Sequence, residues 1–312
     1  MRLLSKEIFG IKNTFYIKKH SSHQCNDVVF LDNYYIIACN NGSIAFTTNC
    51  CDYRTLRFSS NIADENFIKI ITFNNKWVAI SENGYVVWGD TDPNNGYGIK
   101  LDTTRLYDIT TDGQKVVISA SGCKAFITED LTNWDEQTID PTIPNGTVNY
   151  WENIVFNGSQ FVVLQSILSD NKSYVKFSTD LINWGNAISC PYRVSDMYYI
   201  DGKYFLLRIN GYWHTTDFNN YSNLVFTNGV PQKCFYNNDK LYIACYDTYG
   251  QYTQGNIDII NNNNFNRIAE TLKVGQYRLK SLYINNNRIF CCGDGLPDDS
   301  VSGYVSYRYN AG

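Results

Sequence analysis

Histidine, methionine and proline are scarce in this sequence of 312 residues: three, two and six respectively. No Cys-x-x-Cys pair occurs, so the three histidines and ten cysteines lack the ligand spacing of a zinc site. Long apolar runs are missing as well. The longest, such as Trp77–Ile80 and Phe161–Leu164, fall far short of the roughly 20 residues that a spanning helix needs, so no membrane insertion is expected. The N-terminus, Met1-Arg-Leu-Leu-Ser-Lys-Glu7, has no apolar core of a signal peptide, and folding in a cytoplasm is expected. There is no basic surplus either. The net charge is −4 without a Lys/Arg cluster, which argues against nucleic acid as partner. No Pro-rich or Gly/Ser-rich linker divides the sequence, so residues 1–312 read as one domain.

What is abundant points to strands and turns. Tyrosine leads the aromatic residues with 25 copies, and asparagine is frequent. One unit recurs along the sequence: an apolar strand, a tight Asn/Asp/Gly turn, and a second apolar strand. The turns are Asp32-Asn33, Asn74-Asn75, Asp112-Gly113, Asn157-Gly158, Asp201-Gly202, Asn237-Asn238 and Asn285-Asn286, lying 36 to 48 residues apart. Such dipeptides between apolar runs are strong hairpin signals because the turn residues take positive φ. Cysteines within these runs, as in Ile-Ala-Cys39 and Ile-Ala-Cys245, read as reduced, buried small hydrophobes.

A second motif follows the third strand of several units. It reads Thr128-Glu-Asp130-Leu-Thr-Asn-Trp134, then Ser178-Thr-Asp180-Leu-Ile-Asn-Trp184, then Thr215-Thr-Asp217-Phe-Asn-Asn-Tyr221. Weaker forms stand at Thr47-Thr-Asn49-Cys-Cys-Asp-Tyr53 and Trp88-Gly-Asp90. An Asp in a turn accepts hydrogen bonds from backbone N–H groups just downstream. Asp130, Asp180 and Asp217 are therefore expected as turn staples, with Trp134, Trp184 and Tyr221 swinging back into the hydrophobic layer. These units resemble the Asp-box (bacterial neuraminidase) repeat, with the middle glycine replaced by Leu, Thr, Ile or Asn.

Units of about 42 residues with four short strands are the size of a propeller blade. The expectation is an all-β, seven-bladed β-propeller of four-stranded antiparallel blades, with six or eight blades and a two-sheet sandwich as rival architectures. Blades are expected near 26–60, 61–103, 104–145, 146–190, 191–228, 229–274 and 275–312. Residues 1–25 serve as lead-in and closing strand, with Phe15-Tyr-Ile-Lys-Lys19 completing the last blade.

Candidate chemistry is sparse. The resemblance would imply sialidase machinery, yet there is no Arg-Ile-Pro, and Arg54, Arg105, Arg193, Arg208 and Arg267 lack a matching context. Asp298-Asp299 reads as a solvated turn. Asp90-Thr-Asp92-Pro-Asn94 resembles the opening of a calcium loop, but Asn95 and Leu101 stand where glycine and a bidentate glutamate belong. His214 has no nucleophile or carboxylate placed beside it. No catalytic, metal or cofactor residues are expected, and the protein reads as a non-enzyme.

The resemblance to propellers of phage particles implies a structural or binding component of a bacteriophage or phage-like particle, in tail, baseplate or decoration, assembled in the host cytoplasm. Its partners would be other virion proteins, or a host-surface glycan or protein. The alternative is an intracellular propeller serving as a protein-interaction platform, and a carbohydrate-active enzyme ranks last.

Overall fold

The computed structural model describes residues 16–309, apart from 21–23, 50–51, 145, 170, 250–251, 262–264, 267, 276–277, 286–287 and 295–302. Phe15, Cys50, Cys51, Asn286, Arg267 and the Asp298-Asp299 pair thus lie outside the described residues.

Seven four-stranded antiparallel sheets follow one another along the described residues, with a two-stranded hairpin between the third and fourth. In the first six, the strands are added in sequence order from the inside outward. Their innermost strands are Cys25–Leu31, Phe67–Phe73, Leu106–Thr111, Asn153–Phe156, Asp196–Ile200 and Val230–Asn237. The seventh sheet begins with Arg278–Asn285 and takes its outermost strand, Tyr16–His20, from the opposite end of the sequence. That strand pairs antiparallel with Gly303–Tyr309, Tyr16 facing Tyr307 and His20 facing Gly303.

Every innermost strand packs against the innermost strands of the two flanking sheets, and Cys25–Leu31 packs against Arg278–Asn285 to close the ring. The hydrophobic core is divided accordingly. Each of seven apolar clusters fills the space between one pair of adjacent sheets. Ile36 belongs to the cluster shared with the second sheet, and its neighbour Ile37 to the cluster shared with the seventh. A strand buried on both faces needs apolar residues at successive positions, which explains unbroken runs such as Tyr34-Tyr-Ile-Ile-Ala-Cys39.

The first hairpins use two turn chemistries. Asp32-Asn33, Asn74-Asn75 and Asp201-Gly202 have positive φ at both residues, as a two-residue type I′ loop requires. Asp112 and Asn157 do otherwise. Each caps a four-residue loop with its side-chain oxygen: Asp112 Oδ1 accepts the N–H groups of Gln114 and Lys115, and Asn157 Oδ1 those of Ser159 and Gln160. In these two loops positive φ falls on Gly113 and Gly158. In the sixth sheet the turn is Asn238-Asp239 rather than Asn237-Asn238, because Asn237 still pairs with Lys240.

The ring has two ends. One, the turn face, carries the first hairpin of each sheet and the Asp-containing turns. The other, the connection face, carries the second hairpins and the links between sheets.

Candidate functional site

Asp130, Asp180 and Asp217 all lie on the turn face and staple their loops. Asp130 Oδ1 accepts the N–H groups of Thr132 and Asn133 at 2.8 Å each, and Oδ2 accepts the Asn133 side-chain amide at 2.7 Å. Asp180 repeats this with Ile182 and Asn183, and Asp217 with Asn219 and Asn220. These bonds hold all three carboxyls below the usual carboxylate range, Asp217 at about 2. The oxygens of each carboxylate are turned onto its own loop.

Trp134, Trp184 and Tyr221 pack against the apolar clusters between the sheets. The deep plug is the residue directly after each Asp: Leu131, Leu181 and Phe218 are buried at 1%, 1% and 2% exposure. All three have left-handed backbone, with φ of 68°, 66° and 58°. Trp134, Trp184 and Tyr221 are only half-buried and close over them, each donating a hydrogen bond to the plug's carbonyl at 3.0–3.2 Å. A left-handed turn at this position aims the plug inward and leaves the aromatic as its lid.

Near the axis, toward the connection face, the same position of all seven inner strands carries a polar residue. These are Asp27, Lys69, Asp108, Asn153, Asp196, Lys233 and Ser281, facing Ala38, Ile80, Ser119, Leu164, Leu207, Ala244 and Cys292. In five strands a β-bulge immediately precedes it. Such a bulge re-aims the side chain that follows. The charges neutralise one another across the ring. Lys69 lies 3.5 Å from Asp108 and 3.2 Å from Asp196, Lys233 lies 2.8 Å from Asp27, and Ser281 donates to Asp27 at 2.7 Å. Burial pushes the Asp27 carboxyl up, but Lys233, Lys69 and the bonds from Lys233 and Ser281 together bring it below its ordinary value. Burial likewise raises Asp108; Lys69 opposes that rise, Asp196 adds to it, and the net shift is upward. A cavity of about 270 Å³ opens above this ring, lined by Asn26, Lys69, Tyr198, Gln232 and Lys280 among others.

A second cavity of about 340 Å³ shares Gln232 with the first and runs outward along the connection face. Its wall includes Asn171, Arg193, Ser195, Arg208 and Ile209, from the fourth and fifth sheets and their link. The Arg208 guanidinium lies 5.0 Å from the centre of the Trp213 ring. Tyr192 stacks on the same indole at 4.4 Å with 5° between the planes. Six large hydrophobic residues are exposed among the described residues, and four of them surround this region: Leu168, Tyr192, Ile209 and Phe226, at 74%, 43%, 68% and 64% exposure.

No His/Cys/Asp/Glu cluster fit for a metal ion occurs among the described residues. Asp90 and Asp92 instead accept the backbone N–H groups of Asp92 and Asn94. His214 packs against Phe205 and Phe265 and shares a hydrogen bond with Asn266; burial lowers its pKa.

No family model matches the protein, and no curated protein matches it in sequence. Solved structures do match in shape. YCF48 bound to D1 peptide superposes with a TM-score of 0.68 at 11% identity, over 96% of this protein and 98% of that one. YCF48 from Cyanidioschyzon merolae gives 0.64 at 12% identity, over 94% and 98%. The computationally designed Ika8 protein gives 0.62 at 12%, again over 94% and 98%. The fold is a β-propeller. At these identities the likeness carries the architecture of the propeller, with its four-stranded antiparallel blades, and no activity.

Sequence reasoning misses the Arg193–Arg208 pair, because it sets both arginines only against a sialidase pattern. The two come from an inter-blade link and a hairpin, and no local motif joins them.

Proposed function

We propose that this protein is a non-enzymatic binding propeller, seven-bladed and latched by its N-terminal strand, which docks a partner protein on the connection face. The observation that carries this reading is the exposed apolar group Leu168, Tyr192, Ile209 and Phe226 on the same end of two adjacent sheets. Large apolar side chains exposed together at one end of a fold mark interaction sites. The seven sheets with Tyr16–His20 as outermost strand support the blade count and the latch. One propeller of similar shape, YCF48, is bound to a D1 peptide, and peptide docking is carried over from it as part of the proposal.

The setting we propose is a bacteriophage or phage-like particle, where the protein serves as scaffold or in host-surface recognition. The stapled Asp turns support the Asp-box resemblance on which that setting rests. A photo-crosslinking residue at Ile209 tests the docking face, with Ile182 on the turn face as control. Crosslinks from position 209 alone to one defined protein, lost when Leu168→Asp and Phe226→Asp are added, support the face. Equal labelling from both positions overturns it. If the crosslinked protein and ordered copies of this propeller belong to a tail, baseplate or capsid, the particle setting stands. If the propeller is absent from every particle and its partner is a cellular protein, it is an intracellular interaction platform.

A further inference from the structure

Resting on that docking reading, we propose that the cleft holding Arg193 and Arg208 recognises a carboxylate, carried by an extended peptide segment next to a bulky apolar side chain. The first ground is charge. Neither arginine forms an ion pair among the described residues, although every partly buried lysine of the central ring does. The carboxylate with electrostatic reach to Arg193 is Glu152, and its oxygen accepts the Ser166 N–H at 3.4 Å. Two guanidinium groups without an ion pair among the described residues, on a protein of net charge −4, form a local anion trap set against the overall field.

The second ground is preorganisation. Trp213 is 4% exposed, so its position is fixed by the core, and it supports both Arg208 and Tyr192. A guanidinium held over an indole keeps its fork of N–H donors free to take a planar carboxylate in two parallel bonds. Little side-chain entropy is then left to lose on binding.

The third ground is size and setting. A volume of about 340 Å³ admits a short peptide segment and no globular surface. At its rim stand Ile209 and the second hairpin bearing Leu168, both largely exposed. They offer apolar contact to the residue beside the acid, which bulk anions such as acetate do not supply. The carboxylate could come from an internal Asp or Glu or from the C-terminus of a polypeptide, and the chemistry is the same for both.

The test uses the full-length protein and four peptides: Ac-Ala-Leu-Glu-Ala-NH2, its Gln analogue, Ac-Ala-Ala-Leu-OH and its amide. Binding is read from the indole N–H resonance of Trp213, assigned through Trp213→Phe. The carboxylate peptides should shift that resonance, with the neutral analogues binding about tenfold more weakly or worse, as expected for loss of charge-assisted bonds. Whichever acid binds more tightly identifies an internal side chain or a terminus as the natural source. Arg193→Gln and Arg208→Gln should abolish the discrimination with melting unchanged. Arg208→Lys, which keeps the charge but not the fork, should abolish most of it. Equal binding of acid and neutral peptides, or no shift at Trp213, overturns the proposal. The docking face survives that result if Ile209 still crosslinks its partner, and falls with it if Ile209 does not.

Discussion

Lys233 donates a hydrogen bond to Asp27 at 2.8 Å across the central ring, joining strands whose residues are 206 positions apart in sequence. Asp27 is 2% exposed, and its other oxygen accepts the Ile70 N–H at 3.0 Å from the neighbouring blade. One carboxylate thus ties the first sheet to the second, the sixth and, through Ser281, the seventh.

Asp27→Ala should therefore cost more than a surface charge deletion. It leaves the Lys233 ammonium, the Ile70 N–H and the Ser281 hydroxyl without their acceptor. Breaking a buried pair by removing one partner costs about 3–5 kcal/mol. Lys233 retains partial access to water, which places the expected loss near the lower end of that range. Urea unfolding measures it, and a loss below about 1 kcal/mol would reduce the pair to a surface ion pair.

The same carboxyl predicts a pH dependence. Its folded pKa lies below the unfolded reference of 3.8. Its contribution is then fully present above about pH 4 and lost as pH falls through the folded value. Asp27→Asn should make the acid limb of stability against pH shallower than in the wild type. Asp108, raised by burial, works in the opposite direction. An unchanged acid limb in Asp27→Asn would mean that the Asp27 carboxyl titrates alike in the folded and unfolded protein.

The turn plugs set backbone strain against burial. A left-handed non-glycine residue costs roughly 1–2 kcal/mol, which Leu181→Gly would recover. Removing a buried leucine costs about 2–5 kcal/mol, and Leu181 is 1% exposed. Burial is the larger quantity, so Leu181→Gly should destabilise by about 1–3 kcal/mol despite supplying the residue that left-handed turns favour. A stabilised Leu181→Gly variant would show that strain dominates at this turn.

This position also shows where sequence reading succeeds and stops. Turns such as Asp32-Asn33 are legible because few residues tolerate positive φ. The staple role of Asp180 is legible because an Asx turn is local. Sequence alone sends Trp184 into the hydrophobic layer because an aromatic is the conspicuous hydrophobe, and it does not mark Leu181, which the left-handed turn buries deeper. The polar ring is harder to see. Asp27 and Lys233 each sit at the head of an apolar run and resemble the end of a loop. The repeat does hold the signal: a polar residue recurs four or five positions before each first-hairpin turn. Bulges that re-aim those side chains are tertiary features with no marker in a single sequence. Arg193 and Arg208 are illegible as a pair because only the packing of neighbouring blades brings them together.

Gly89 gives a steric prediction. A Cβ there would lie 2.4 Å from the Asn95 carbonyl oxygen and 2.7 Å from the Trp77 ring. Trp77 is fully buried, and its indole N–H donates to the Asp90 carbonyl at 2.6 Å, so the ring has nowhere to retreat. Gly89→Ala should lower stability by about 1–3 kcal/mol through overpacking. At Gly185 a Cβ meets only the Phe177 carbonyl oxygen at 3.6 Å, and Gly185→Ala should be tolerated. Thermal melts of the two variants compare them directly, and equal melting would remove the steric argument.

The cysteines supply the last prediction. Cys25 and Cys39 face each other across adjacent strands with their sulfurs 3.8 Å apart, a geometry that invites the reading of a redox pair. Reactivity depends on thiolate, and the surroundings suppress it. The hydrogen bond that the Cys39 thiol donates to Cys25, together with burial, pushes it well above its ordinary value, and burial drives Cys123 and Cys190 up to about 11. Eight cysteines are buried among the described residues. Iodoacetamide at pH 8 should leave these eight unmodified in the native protein and label all of them in urea, mapped peptide by peptide by mass spectrometry. Glutathione disulfide should likewise fail to join Cys25 to Cys39 until the protein unfolds. Rapid native labelling at Cys39 would mean that the seam between the first and last blades opens on the timescale of the reaction, and would turn attention from the connection face to the latch.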